Sequence, residues 1–167
     1  MRVKRYFLEL KLSDYKDHNL IIPKNINIKE DKKKNFQINK FFYKKIGIDH
    51  YWRDRLVWTD KEWLKYVLNK NLETWVMRKG KELVGFYEKE THKDINEGEL
   101  INMGILKDFR GKKYGSTLLS HVIKNSLSNK ESRLWVHTCS LDHKNALSNY
   151  KSRGFKIFKE EEISFVA

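Results

Sequence analysis

The sequence is short of the residues that cross-link or interrupt a chain. A single cysteine, Cys139, excludes an intramolecular disulfide framework and any all-cysteine zinc site. A single proline, Pro23, and the lack of Gly/Ser-rich tracts argue against an internal linker. No apolar run approaches the roughly 20 residues that span a bilayer. The segment Met1 to Leu12 mixes charge with apolar residues and has no signal-peptide core. The expectation is a soluble, reduced, cytoplasmic protein with no membrane partner.

What is present suits one domain over residues 1–167. A hydrophobic content of 40% and an aromatic content of 13% exclude a disordered chain. Against 22 acidic residues stand 35 basic ones, for a formal charge of +13. Such an excess favours anionic partners in general. Most of it is lysine, accompanied by many Asn and Ile, and all three have AT-rich codons. Base composition alone can therefore produce much of the bias.

Alternation from Tyr6 to Leu12 predicts a strand, although residues 1–20 as a whole have no evident place. Leu20-Ile21-Ile22 opens a second apolar stretch, and Ile26 to Lys29 reads as a short strand. Ile38, Phe41, Phe42 and Ile46 fit an amphipathic helix with Gly47 as its C-cap. Thr59 or Asp60 caps a second helix presenting Trp63, Tyr66 and Val67. Leu72–Arg78 and Glu82–Glu88 form a hairpin through Lys79-Gly80-Lys81. A strand over Glu99–Leu106, a helix over Ser116–Leu127, a strand over Arg133–Cys139, a helix over His143–Arg153 and one or two strands over Phe155–Val166 follow. That order predicts an α/β or α+β domain with a mixed sheet.

The densest signal runs from Ile101 to Leu119. A strand enters a basic turn, Arg110-Gly111-Lys112-Lys113-Tyr114-Gly115, which opens an amphipathic helix. The first helical turn carries unpaired N–H groups and the positive dipole end, which suits a phosphate. Gly111 and Gly115 allow close backbone approach, and Lys112 and Lys113 add charge. The pattern is neither a P-loop nor the dinucleotide G-x-G-x-x-G.

A second block pairs the strand Leu134–Cys139 with a helix ending at Gly154. Together the blocks resemble the GNAT superfamily of acetyl-CoA-dependent N-acetyltransferases. Arg110 to Gly115 is similar to its acyl-CoA motif R/Q-x-x-G-x-G/A. Asn145-Ala146-Leu147-Ser148-Asn149-Tyr150-Lys151-Ser152-Arg153-Gly154-Phe155 is similar to a compressed form of its N-x-x-A-x-x-x-Y-x-x-x-G-F region. The likeness is good over residues 72–158 and loose over 36–70. Lys113 stands where the motif has its middle glycine. Many helix-starting positions are ordinary right-handed backbone, so Lys113 is expected to sit there without strain.

The resemblance implies a mostly antiparallel sheet flanked by helices, with two strands splayed at the acyl-CoA site. It implies that backbone groups of Met103 and Ile105 bind the pantetheine arm. The amide of Ile105 or Gly104 would polarise the thioester carbonyl. Amides from Arg110 through Gly111, Lys112, Lys113, Tyr114 and Gly115 to Ser116 would hold the pyrophosphate, and Asn145 would bond the cofactor near the thioester. Tyr150 matches the tyrosine that protonates the departing thiolate, its alternative being a core aromatic. For the base, Glu99 matches a carboxylate acting through water, and His137 competes because an imidazole titrates near neutrality. Each has a plain alternative, as a solvated strand end and a structural histidine.

Cys139 has no flanking charge that predicts a reactive thiolate. The spacing of His137, Cys139 and His143 lacks a fourth zinc ligand, so no metal is expected. The stretch His50–Trp58 offers aromatics and two arginines, either as a pocket for a small amine bearing a carboxylate or as core packing. The implied partners are acetyl-CoA or CoA and a small primary amine such as an amino acid or polyamine, and a homodimer stays open. A protein lysine or N-terminal acetyltransferase is the nearest alternative. A non-catalytic CoA- or nucleic-acid-binding module is another, but nucleic acid is disfavoured because the basic residues are dispersed and no base-reading motif occurs.

Overall fold

Apolar alternation and amphipathic periodicity resolve into seven strands and four helices among the described residues, 2–16 and 19–164, of the computed structural model. In chain order these are β1 (Arg2–Lys11), β2 (Ile26–Glu30), α1 (Phe36–Gly47), α2 (Asp60–Val67), β3 (Leu72–Lys79), β4 (Glu82–His92), β5 (Glu97–Ile105), α3 (Tyr114–Ser128), β6 (Arg133–Cys139), α4 (Ala146–Ser152) and β7 (Lys156–Ser164). They build one sheet in the order β2-β3-β4-β5-β6-β1-β7. Every neighbouring pair is antiparallel except β5 and β6. The expected mixed, mostly antiparallel sheet flanked by helices is therefore present.

Local chemistry explains most boundaries. Asn35 accepts from the Gln37 N–H at the start of α1, and Thr59 from the Glu62 N–H at the start of α2. Gly80, at φ +59°, turns the β3–β4 hairpin. Other boundaries correct the sequence reading. Gly47 is the last residue of α1 rather than its cap, which is Ile48 in right-handed backbone. A Cβ on Gly47 would lie 2.6 Å from the Cβ of Trp52, so glycine there serves packing. Leu20 to Ile22 joins no strand, and Ile21 is largely exposed. The helix α4 begins at Ala146, not His143. The final strand is single and reaches Ser164, while residues 165–166 of its expected range lie outside the described residues.

Two apolar layers flank the sheet. On one face, Phe42 and Ile46 of α1 pack on Val76 and Phe86, with the two phenyl rings stacked at 4.8 Å. On the other, Leu118, Leu119, Val122 and Ile123 of α3 join Leu8, Leu100, Leu134 and Val136. The N-terminal strand, unplaced from sequence, lies between β6 and β7, pairing Leu8 with Val136 and Ile157.

The site arises from one irregularity. On β5, Ile101 is an extra residue between the pairs Glu88–Asn102 and Lys89–Leu100. A bulge of this kind bends its strand and ends local pairing. Correspondingly, β5 and β6 pair only over Glu97–Leu100 and Arg133–Val136 and then separate.

Candidate active site

Beyond Leu100 the separated strands open a cleft of about 1100 Å³. The Leu106 N–H bonds the Val84 carbonyl at 2.8 Å. Alternation along an antiparallel strand then gives Gly104 to the β4 ladder and turns the backbone groups of Met103 and Ile105 into the gap. Of the two amides weighed for the thioester carbonyl, Gly104 is thus committed to the sheet. Its missing side chain admits α1, because a Cβ there would meet Ile46 at 2.7 Å.

At one end of the cleft lies the basic turn. The N–H groups of Gly111 to Ser116 have no acceptor among the described residues, as the start of α3 requires. Gly111 has φ +80° and open space where a side chain would stand. Lys113 has φ 64° and ψ 16°, so the expectation of right-handed backbone there is overturned. A lysine in this region carries a cost of about 1 kcal/mol or more. The Arg110 amide is not free, since it donates to Lys107 O at 3.3 Å. The Arg110 guanidinium braces the turn, with Nε on Ile105 O and Nη1 on Asp49, both at 3.0 Å, while its buried Nη2 has no partner. Lys112 extends over the Phe109 ring and does not line the cleft, whereas Lys113, Tyr114, Gly115 and Ser116 do.

A roof forms where the α1–α2 loop meets the β6–α4 loop. Trp52 Nε1 donates to Asp142 at 3.2 Å, and the rings of His50 and His143 approach to 5.8 Å. Asp142 also accepts from Thr138 Oγ1 and from the Cys139 N–H. Burial, then the Arg110 charge, holds both histidines below the ordinary imidazole pKa.

Tyr150 lines the cleft from α4 and packs on Phe155, with centroids 5.6 Å apart. Its hydroxyl makes no hydrogen bond among the described residues. Burial, reinforced by the Asp142 charge, pushes its pKa well up, so the phenol stays protonated. Asn145 lines the cleft at the start of α4 with its side chain free of capping bonds.

The two candidate bases part company. His137 lines the cleft beside Phe7, at 5.7 Å between rings, and keeps an exposed edge. Enclosure by its neighbours and then the Arg5 charge lower its pKa, which favours the neutral imidazole. Glu99 does not line the cleft. It bonds His92 Nε2 at 2.9 Å, and the His92 ring stacks on Trp135. Burial alone would depress His92, but the Glu99 bond and the Glu90 charge outweigh it and raise the pKa. Cys139 lies at the cleft wall with its thiol pKa raised by burial, then by Asp142, so a thiolate is disfavoured.

In the His50–Trp58 stretch the two arginines diverge. Arg55 is buried and bonds Glu88 at 3.1 Å and Tyr66 at 3.1 Å, and its guanidinium lies over the rings of Tyr43, Trp58, Trp63 and Tyr66. Glu88 also accepts from Asn39 and Asn102. This closed cluster withdraws Arg55 from ligand binding, so core packing describes that end of the stretch. Arg53 and Tyr51 stay exposed at the cleft. Sequence reasoning missed Arg5, which reaches the cleft from β1.

A sequence profile described as the Acetyltransferase (GNAT) family matches residues 34–155. The chain belongs to this family. Solved structures agree in fold. A GCN5-related N-acetyltransferase from Sphaerobacter thermophilus superposes with a TM-score of 0.72 at 14% identity, over 95% of this GNAT chain and 49% of that one. This chain thus spans about half the length of that protein. An aminoglycoside acetyltransferase from an uncultured soil metagenomic sample gives 0.66 at 11% identity, covering 80% and 90%. The ribosomal-protein-S18-alanine N-acetyltransferase from Escherichia coli gives 0.62 at 15%, covering 78% and 77%. No curated protein sequence matches. No helix of the described residues is long and apolar enough to cross a membrane.

The GNAT family generally uses acetyl-CoA as donor. The residues present fit it: a strand edge at Met103 and at the Ile105 N–H for an extended amide-bearing arm (the Ile105 carbonyl accepts from Arg110), unpaired N–H groups at Gly111 to Ser116 for a pyrophosphate, and an unpartnered phenol at Tyr150.

Proposed function

We propose that residues 1–167 act as a single N-acetyltransferase domain that moves the acetyl group of acetyl-CoA to a primary amine of a small molecule. The observation that carries this reading is the separation of β5 from β6, which leads from free strand edges to the unpaired amides of α3. When bound, acetyl-CoA supplies an activated thioester. The chain's own groups do the rest. Met103 and Ile105 hold the arm between the strands, and the Ile105 amide stabilises negative charge on the carbonyl oxygen. Amides of Gly111 to Ser116, with the Lys113 charge, bind the pyrophosphate, and Asn145 bonds the arm near the thioester.

His137 takes a proton from the acceptor's ammonium, and the neutral amine so formed attacks the thioester. The lowered pKa of His137, which keeps the imidazole neutral, and its place on the cleft wall favour the role. Tyr150 gives its proton to the departing sulfur, which its raised pKa and free hydroxyl support. Glu99 is committed to His92 and takes no part. The roof made by Trp52, Asp142, His50 and His143 favours a small acceptor over a protein surface.

The test is an amine panel with acetyl-CoA, followed by release of free thiol. Turnover on at least one amine is expected. Tyr150→Phe should lower kcat by about 10²–10⁴-fold with acetyl-CoA affinity unchanged. An unchanged kcat removes Tyr150 from the mechanism, and silence across the panel overturns the activity.

A further inference from the structure

Resting on that acetyltransferase reading, we propose that the acceptor amine carries a carboxylate and that Arg5 of β1 binds it. Arg5 lies outside the stretch matched by the family profile, on the inserted strand between β6 and β7. It faces Cys139 across one ladder and Glu161 across the other. The natural partner, Glu161, is bonded instead to Lys159 at 2.8 Å. Arg5 Nε is buried in the cleft wall and has no hydrogen-bond acceptor. A buried cationic donor without an acceptor is costly, and groups left so in a folded protein call for an explanation. A carboxylate reaching the planar edge of the guanidinium would bond two N–H groups at once.

The other engaged arginines of the wall are paired within the fold, Arg55 with Glu88 and Arg110 with Asp49. Asp142 is held by Thr138, Cys139 and Trp52, and Glu161, which feels the Arg5 charge, is bonded to Lys159. Arg5 and Arg53 are thus the cleft arginines with no carboxylate bonded to them among the described residues. His137 adjoins Arg5, since Phe7, the next residue on the same face of β1, pairs with it. A carboxylate held on Arg5 would thus bring a nearby amino group to the base, the spacing of an amino acid.

The test compares L-amino acids with their carboxamides, and with spermidine, on the full chain at saturating acetyl-CoA. At least one acid should exceed its amide in kcat/KM by roughly 10- to 100-fold, the worth of one charge-assisted hydrogen-bonded pair, with the difference in KM. Arg5→Gln should erase that gap by raising KM for the acid alone, and Arg5→Lys should restore part of it. Equal acid and amide, preference for spermidine, or an Arg5→Gln loss shared by acid and amide overturns the proposal while leaving the acetyltransferase reading intact. If no amine turns over, that reading fails, and calorimetry on the CoA-loaded protein decides the subsite separately. Binding of an acid but not its amide, lost in Arg5→Gln, supports it, and no such binding overturns it.

Discussion

Glu88 and Tyr150 sit on opposite sides of one sheet, and the polar groups around them are treated in opposite ways. The Glu88 carboxylate is fully buried and satisfied by Arg55, Tyr66, Asn39 and Asn102. Around the cleft, Arg5 Nε and Arg110 Nη2 are buried without partners, whereas in the Glu88 cluster the orphan is an acceptor, Asn39 Oδ1. Both regions hold buried polar atoms, so burial alone does not separate structure from function. The donors differ: those around Glu88 all meet an acceptor and lock the fold, whereas the two arginine donors at the cleft wall do not.

The strongest way to break the closed side is Glu88→Ala. It strands the Arg55 charge in a cage of aromatic rings, and removing one partner of a buried pair costs about 3–5 kcal/mol. Thermal or urea unfolding should show that loss. The double change Glu88→Leu with Arg55→Met should recover only part of it, because no charge is then stranded but Tyr66, Asn39 and Asn102 still lose the Glu88 acceptor. A mild effect of Glu88→Ala would mean that the cluster is wetter than the structure shows.

A smaller effect should come from a second closed network, on the α3 face. Burial lowers the pKa of His121 to about 4, so its ring is neutral in the fold. Asn125 donates to the Tyr87 oxygen at 3.2 Å, which leaves the Tyr87 hydrogen for His121 Nδ1 at 2.8 Å. The unfolded chain titrates near 6.5, so below that pH it binds a proton that the fold refuses. This contribution to stability is present above about 6.5 and is lost as pH falls toward 4. Melting temperatures over that window should decline less steeply for His121→Asn, which keeps an acceptor but cannot charge. Parallel curves would assign the decline to other groups.

How much of this could be read from the chain alone followed from the range of the interactions. The β3–β4 hairpin, the α2 cap at Thr59 and the strand–turn–helix at Arg110–Gly115 are local, and their signals lie within a few residues. The insertion of β1 between β6 and β7 was not legible, because alternation specifies a strand but not its neighbours. Arg53 and Arg55 looked alike for the same reason: what sets Arg55 apart is Glu88, 33 residues away. The partner of Glu99, His92, comes from across the β4–β5 turn, and neither residue type nor local pattern announced the pair. Arg5 was overlooked because nothing near it in sequence shows that its cross-strand carboxylate is already taken by Lys159.

The smallest predicted effect concerns the open side and its backbone. Lys113 begins α3 at φ 64°, a conformation that costs an L-residue about 1–2 kcal/mol. Its side chain makes no capping bond that would offset the strain. Lys113→Gly removes the Cβ clash but adds backbone entropy to the unfolded chain, at roughly 0.5–1 kcal/mol. The net gain should be on the order of 0.5–1 kcal/mol, raising the melting temperature by roughly 1–4 °C for a chain of this size. The amide survives the change and the ammonium does not, so acetyl-CoA should bind somewhat more weakly, with less dependence on salt. A more stable protein with weaker, less salt-sensitive binding would show strain kept at the cleft for the sake of a charge. An unchanged melting temperature would show that the turn relaxes when no ligand holds it, and that the open side is looser than its closed counterpart around Glu88.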